Sequence, residues 1–275
     1  MMQRRRVLEG LGAVALVGVR PARAERLQSI GLQLYTVRGD LERDFEGTLA
    51  EVAKVGFQEV ELAGLFGRTA RDVRASLDRH GLKAPSMHVD LPEIETGFQR
   101  TLEAGSALGV RYVVCAWLAP GQRESLDLYK KHVETFNRAG EEAKKAGIQF
   151  GFHCHDFEFV PLEGVVPYDL LLTGTDSSLV QMEMDLYWIT KAGADPLRYF
   201  REYPGRFPLV HVKDMDRTPQ KNFTEVGKGV VDFKRVFAQS KLGGIHHYFV
   251  KQDETPGPAI ESARESYQYL SRLDF

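Results

Sequence analysis

Four apolar runs in this chain end in side chains that can hold a metal ion or move a proton. They are Phe150-Gly151-Phe152-His153-Cys154-His155-Asp156-Phe157-Glu158, Met182-Glu183-Met184-Asp185, Leu209-Val210-His211-Val212-Lys213-Asp214 and His247-Tyr248-Phe249-Val250-Lys251-Gln252-Asp253-Glu254. Imidazoles and carboxylates are ligands for divalent ions and also the commonest proton carriers. In an extended strand alternate residues face the same side. His153 then shares a face with His155, Glu183 with Asp185, His211 with Lys213, and Lys251 with Phe249 and Asp253. Phe152, Met182, Met184 and Val212 take the opposite face. Ionisable tips on one side and apolar side chains on the other describe a barrel interior that opens into a pocket. Burying such groups unpaired costs several kcal/mol each, so they need a metal, one another or a ligand.

The elements that position these tips are short strands alternating with longer helical patterns. Strands are expected at 30–35, 59–62, 84–89, 112–117, 149–155, 180–185, 208–212 and 248–251. Helices are expected at 44–55, 69–80, 99–108, 125–146, 196–203, 232–239 and 260–273, several of them closed by glycine (Gly81, Gly109, Gly147). Eight strands interleaved with helices in one chain of 275 residues predict an α/β fold, a closed (β/α)8 TIM barrel. Chemistry in such a barrel gathers at the carboxyl ends of the strands. No glycine-rich phosphate loop follows the first strand, which argues against an open dinucleotide-binding sheet.

Composition narrows the function classes. The formal net charge is -2, with 43% hydrophobic and 27% charged residues, which gives no basic footprint for nucleic acid. Two cysteines, Cys115 and Cys154, lie in apolar runs and read as buried free thiols. Residues 1–24 read as a signal peptide: Arg4-Arg5-Arg6-Val7-Leu8, an apolar stretch at 11–19, then Ala22-Arg23-Ala24 as a small-x-small cleavage site. The paired arginines resemble the twin-arginine type. A single barrel domain over 25–275, exported to the bacterial periplasm without a membrane anchor after cleavage, is the expectation.

Several runs together resemble the xylose isomerase-like barrel superfamily, the sugar phosphate isomerases and epimerases. Gly31-Leu32-Gln33-Leu34-Tyr35-Thr36-Val37-Arg38 is similar to the first strand of that family and Gly56-Phe57-Gln58-Glu59-Val60-Glu61-Leu62-Ala63 to its second. His153 to Phe159, Met182 to Trp188, His211 to Asp214 and Glu225 to Gly229 complete the likeness. The resemblance implies one divalent ion, often manganese, bound by Glu, Asp, His and Glu on strands five to eight. Asp185 and His211 match the middle two positions. The strand-five position falls on His153, with Glu158 close behind it, and the strand-eight position falls on Lys251.

Lysine is a poor ligand because only its neutral amine has a free lone pair. Three arrangements stay open. Asp185, His211 and either His153 or Glu158 hold manganese, zinc or iron; or Lys251 pairs with Asp185 or Glu158 in a metal-free site; or the barrel binds a sugar without turning it over. The expected activity is an isomerase or epimerase of a sugar, keto-sugar or cyclitol, moving a proton through an enediol or enolate. The alternative is a lyase or dehydratase acting on keto-glycosides. Glu158, Lys251, His153 and His88 are the candidate acids and bases. His155, Lys213, Trp117 and Glu61 are the candidate substrate contacts, with Trp117 offering a ring face to a sugar. The resemblance also implies a homo-oligomer.

Overall fold

The computed structural model describes residues 25–275; the expected signal segment, 1–24, lies outside the described residues. Eight parallel strands close into a barrel: β1 (Gly31–Gln33), β2 (Glu59–Leu62), β3 (Lys83–Val89), β4 (Tyr112–Cys115), β5 (Gln149–His153), β6 (Val180–Asp185), β7 (Leu209–Val212) and β8 (His247–Val250). Each pairs with its neighbours in sequence, and β8 closes onto β1 with Gly31 opposite Phe249. This is the (β/α)8 architecture expected from the alternation of strand and helix patterns.

The strand ends differ in ways that matter for the site. β1 stops at Gln33 because Leu34–Val37 turns into a 3-10 helix, capped when the Gln33 side chain accepts the Tyr35 N–H at 2.5 Å. β5 stops at His153, two residues short of expectation, and the chain turns through Phe157–Phe159. An antiparallel ribbon, Asp214–Met215 with Phe223–Thr224, follows β7. The buried Asp214 carboxylate holds the loop after it by accepting N–H bonds from Gly227, Gly229 and Val231. Those amides are therefore taken within the protein.

Two packed zones hold the barrel. Outside it, Phe150, Phe152, Met182, Met184, Val210 and Val212 are fully buried against the helical layer. The longest helix, Leu126–Lys145, starts where Ser125 accepts the Leu128 N–H, and it buries Tyr129, His132, Phe136, Ala139 and Ala143 at helical spacing. Inside, Val114, Leu209 and Phe249 form a small apolar plug with Tyr112. The Phe249 ring fills the space where a side chain on residue 31 would be, so β1 needs glycine there. Above the plug the interior turns polar, where most barrels of this type continue with branched aliphatics.

Candidate metal and catalytic centre

Asp185 and His211 stand opposite each other on β6 and β7. The Asp185 carboxylate is divided between two tasks. Its Oδ1 caps the helix Leu186–Lys191 by accepting N–H bonds from Tyr187 and Trp188 at 2.9 and 3.0 Å. Its Oδ2 faces the barrel axis, 3.1 Å from Lys213 Nζ, 3.4 Å from His153 Nε2 and 3.5 Å from His211 Nδ1. Burial alone would raise this carboxyl, but the Lys213 ammonium and the two imidazoles outweigh it and hold Asp185 well below the usual range.

Beneath this trio lies a second group: Glu61, His88, Glu183 and His211. His88 Nε2 sits 2.6 Å from Glu183 Oε2 and 3.1 Å from Glu61 Oε2, and His211 Nε2 is 2.7 Å from Glu61 Oε2. Ser86 donates to Glu61 Oε1 at 2.6 Å. Burial works against charge here too, yet Glu183 and its neighbours push His211 up to about 10, and Glu61 with Glu183 raises His88. The same pairing lowers both carboxyls, Glu61 strongly. His88 and His211 thus bridge Glu61 and Glu183 in the lower group, where Glu183 Oε1 is left without a partner.

The upper trio does not satisfy itself. His153 donates through Nδ1 to the Ala116 carbonyl at 3.0 Å, which leaves Nε2 with a bare lone pair aimed at Asp185 Oδ2. Burial lowers His153 well below the ordinary range, so it does not take a second proton. A lone pair then faces a carboxylate oxygen, an arrangement that favours a cation between them. His211 likewise bonds through Nε2 to Glu61, while its Nδ1 has no hydrogen-bond partner. Each imidazole is oriented from behind by an acceptor, as metal-bound histidines are. His153, Asp185 and His211 therefore fit a divalent ion. Two imidazoles and one carboxylate suit zinc, manganese or iron and leave positions open for substrate.

The other expected residues divide. Lys213 is fully buried and bridges Asp185 and Asp253, with Nζ 2.5 Å from Asp253 Oδ2. Lys251 lines the cleft above, and its ion pair is with Asp253 Oδ1 at 3.5 Å. The expected pairing of Lys251 with Asp185 or Glu158 is corrected: Lys213 takes Asp185, because Asp253 on the same face draws both ammonium groups. Glu158 is corrected as a ligand. β5 ends before it, and the turn carries its carboxyl into neither metal-capable group. Its Oε2 accepts the His155 N–H at 2.7 Å, its Oε1 has no partner, and burial raises it well above the usual carboxyl range. It fixes the loop that carries His155.

His155, His88 and Trp117 all reach the cleft. The His155 ring stacks on Phe157 and is lowered well below its ordinary range by burial and then by Lys251. Glu183, at the centre of the lower group, is absent from the candidates drawn from sequence, although alternation puts it on the face of Asp185. The cleft occupies about 1300 Å³.

Comparison with known proteins agrees with this architecture. A sugar phosphate isomerase/epimerase from Parabacteroides distasonis ATCC 8503 superposes with a TM-score of 0.79 at 27% identity, covering 93% of this chain and 99% of that one. The crystal structure of the IOLI protein with a binding zinc atom has the same fold, with a TM-score of 0.71 at 16% identity over 89% and 98% of the two chains. In sequence, an inosose dehydratase of Geobacillus thermodenitrificans is 25% identical, covering 83% of this chain and 89% of the relative, and one of Lacticaseibacillus casei is 23% identical over similar shares. The sequence model of the xylose isomerase-like TIM barrels matches residues 49–273, and the chain belongs to that family.

Proposed function

We propose that the protein is a lyase that removes water from a keto-polyol, a keto-sugar or keto-cyclitol, rather than an isomerase or epimerase. The observation that carries this is the identity of the proton carriers at the cleft. His88, His155 and Lys251 reach it from the strand ends, whereas Glu61, Glu183 and Asp185 are fully buried in ion pairs beneath. Proton exchange by two opposed carboxylates lacks its reagents at those positions; an acid and a base for β-elimination are present. The similarity to proteins named inosose dehydratase supports the same reading.

A divalent ion held by His153, Asp185 and His211 would supply a Lewis acid for a ketone oxygen and a neighbouring hydroxyl. His155, kept neutral by burial, accepts the proton from the carbon beside the ketone. His88, whose proton affinity the carboxylates of Glu61 and Glu183 raise, gives a proton to the departing hydroxyl. The C–H and C–OH bonds break, a C=C bond conjugated to the ketone forms, and water leaves. Solvent returns the proton from His155 to His88. Lys251, steadied by Asp253, donates to a substrate hydroxyl.

The test is incubation of the purified protein with 2-keto-myo-inositol and with a methyl keto-glucoside in deuterated buffer. Ultraviolet absorbance of a conjugated ketone with loss of one water in the mass spectrum is expected. Deuterium entering an intact keto-sugar, without water loss, would make the protein an isomerase or epimerase. We also propose that it works in the periplasm after removal of residues 1–24.

A further inference from the structure

We propose that the outer half of the cleft is a second sugar subsite, so that the substrate is a keto-sugar joined through a glycosidic bond to another sugar ring. This rests on the dehydratase reading for the inner ring and goes beyond it for the outer one.

Size is the first observation. Pockets that bury a drug-sized ligand span roughly 300–1,000 Å³. This cleft, at about 1300 Å³, exceeds that range, and a single hexose is smaller than such a ligand. The groups assigned to chemistry (His88, His155, Lys251) lie on or just after the tips of β3, β5 and β8. The cavity extends from there over the loops that follow β2, β3 and β4, and on the other side past Trp188 and Phe223.

The character of that outer region is the second observation. Trp117 is 42% exposed on its wall, a large aromatic left facing water inside a cavity. Arg123 sits over the Phe157 ring, its guanidinium carbon 3.4 Å from the centroid, and its buried Nε has no hydrogen-bond partner. Glu93 and Arg100, on the two helices after β3, add an acceptor and a donor to the lining. A purely apolar aglycone would strip water from these polar groups and return nothing. A sugar ring supplies both halves: its C–H face lies on the indole, and its hydroxyls pair with Arg123, Arg100 and Glu93.

The experiment is calorimetric binding of three probes built on one keto-glucose: the methyl glycoside, the glucosyl glycoside and the phenyl glycoside. The glucosyl probe is expected to bind about tenfold more tightly than the methyl probe. Trp117→Ala is expected to bring that ratio close to one, and Trp117→Phe, which keeps a ring in place, to retain part of it. Equal affinity for the methyl and glucosyl probes would overturn the proposal, as would a ratio indifferent to Trp117→Ala. Tightest binding of the phenyl probe would overturn it in favour of an apolar aglycone. Water loss from the methyl probe is followed separately. A ring-dependent affinity without water loss would sustain the subsite and sink the dehydratase reading; water loss without ring dependence would do the reverse.

Discussion

Replacing Glu61 with glutamine removes one negative charge from behind the metal-capable trio while keeping the side chain's shape. Glu61 Oε2 lies 2.7 Å from His211 Nε2, and this contact directs His211 Nδ1 toward Asp185. Two effects oppose each other. The lost charge weakens the hold on a dication at Nδ1, and it also lowers the proton affinity of His211, which relieves competition. A dication feels the missing charge twice as strongly as a proton does, so the weakening prevails. Loss of an outer partner of a metal-bound histidine costs about 10–100-fold in affinity, equivalent to about 1.4–2.7 kcal/mol. The assay is competition for zinc or manganese against a chromophoric chelator at pH 8. Glu158→Gln serves as the comparison, since that carboxyl is buried but belongs to neither metal-capable group. Glu61→Gln should bind the ion at least tenfold more weakly and Glu158→Gln as tightly as the unaltered protein, by the same outer-partner argument. Undiminished affinity in Glu61→Gln, or a larger loss in Glu158→Gln, would refute the assignment.

Three further outcomes follow. Because surrounding carboxylates push His211 up to about 10, an ion binding there below that pH must displace a proton. Affinity should therefore rise about tenfold per pH unit between pH 7 and 9, and a flat profile would show that His211 is not a ligand. Phe249→Ala empties the plug beneath the site and should destabilise the barrel by about 3–5 kcal/mol in urea titrations; a loss below about 1 kcal/mol would mean the plug does not support the fold. Expression of the full chain in a bacterium with twin-arginine export should place a form lacking 1–24 in the periplasm. Retention in the cytoplasm when Arg4 and Arg5 are intact would contradict the export proposal.

The barrel was legible because each strand carries its own record: a short apolar run, period-two alternation and a polar tip. The same alternation places Asp185 and His211 inward, and the register confirms that they stand side by side. Which residues meet across the barrel is another matter. Glu183 reaches His88 ninety-five positions away on β3, and no spacing along a chain records that encounter. Turns break the alternation as well. Glu158 lies only five residues after His153, but the end of β5 and the 3-10 turn send the two side chains to different places. The two lysines differ by reach rather than by pattern: both point inward, and Lys213, clamped between Asp185 and Asp253, leaves Lys251 to the cleft. The buried state of Cys115 and Cys154 followed directly from their apolar neighbours.

The proposed chemistry depends on one centre, an ion held by His153, Asp185 and His211. Elemental analysis of protein purified without chelator, beside Asp185→Asn prepared in parallel, tests it most directly. A divalent metal should be stoichiometric with the unaltered chain and absent from the variant. A folded unaltered protein that takes up no divalent metal, or a variant that carries as much of it, would contradict an ion centre at these three residues.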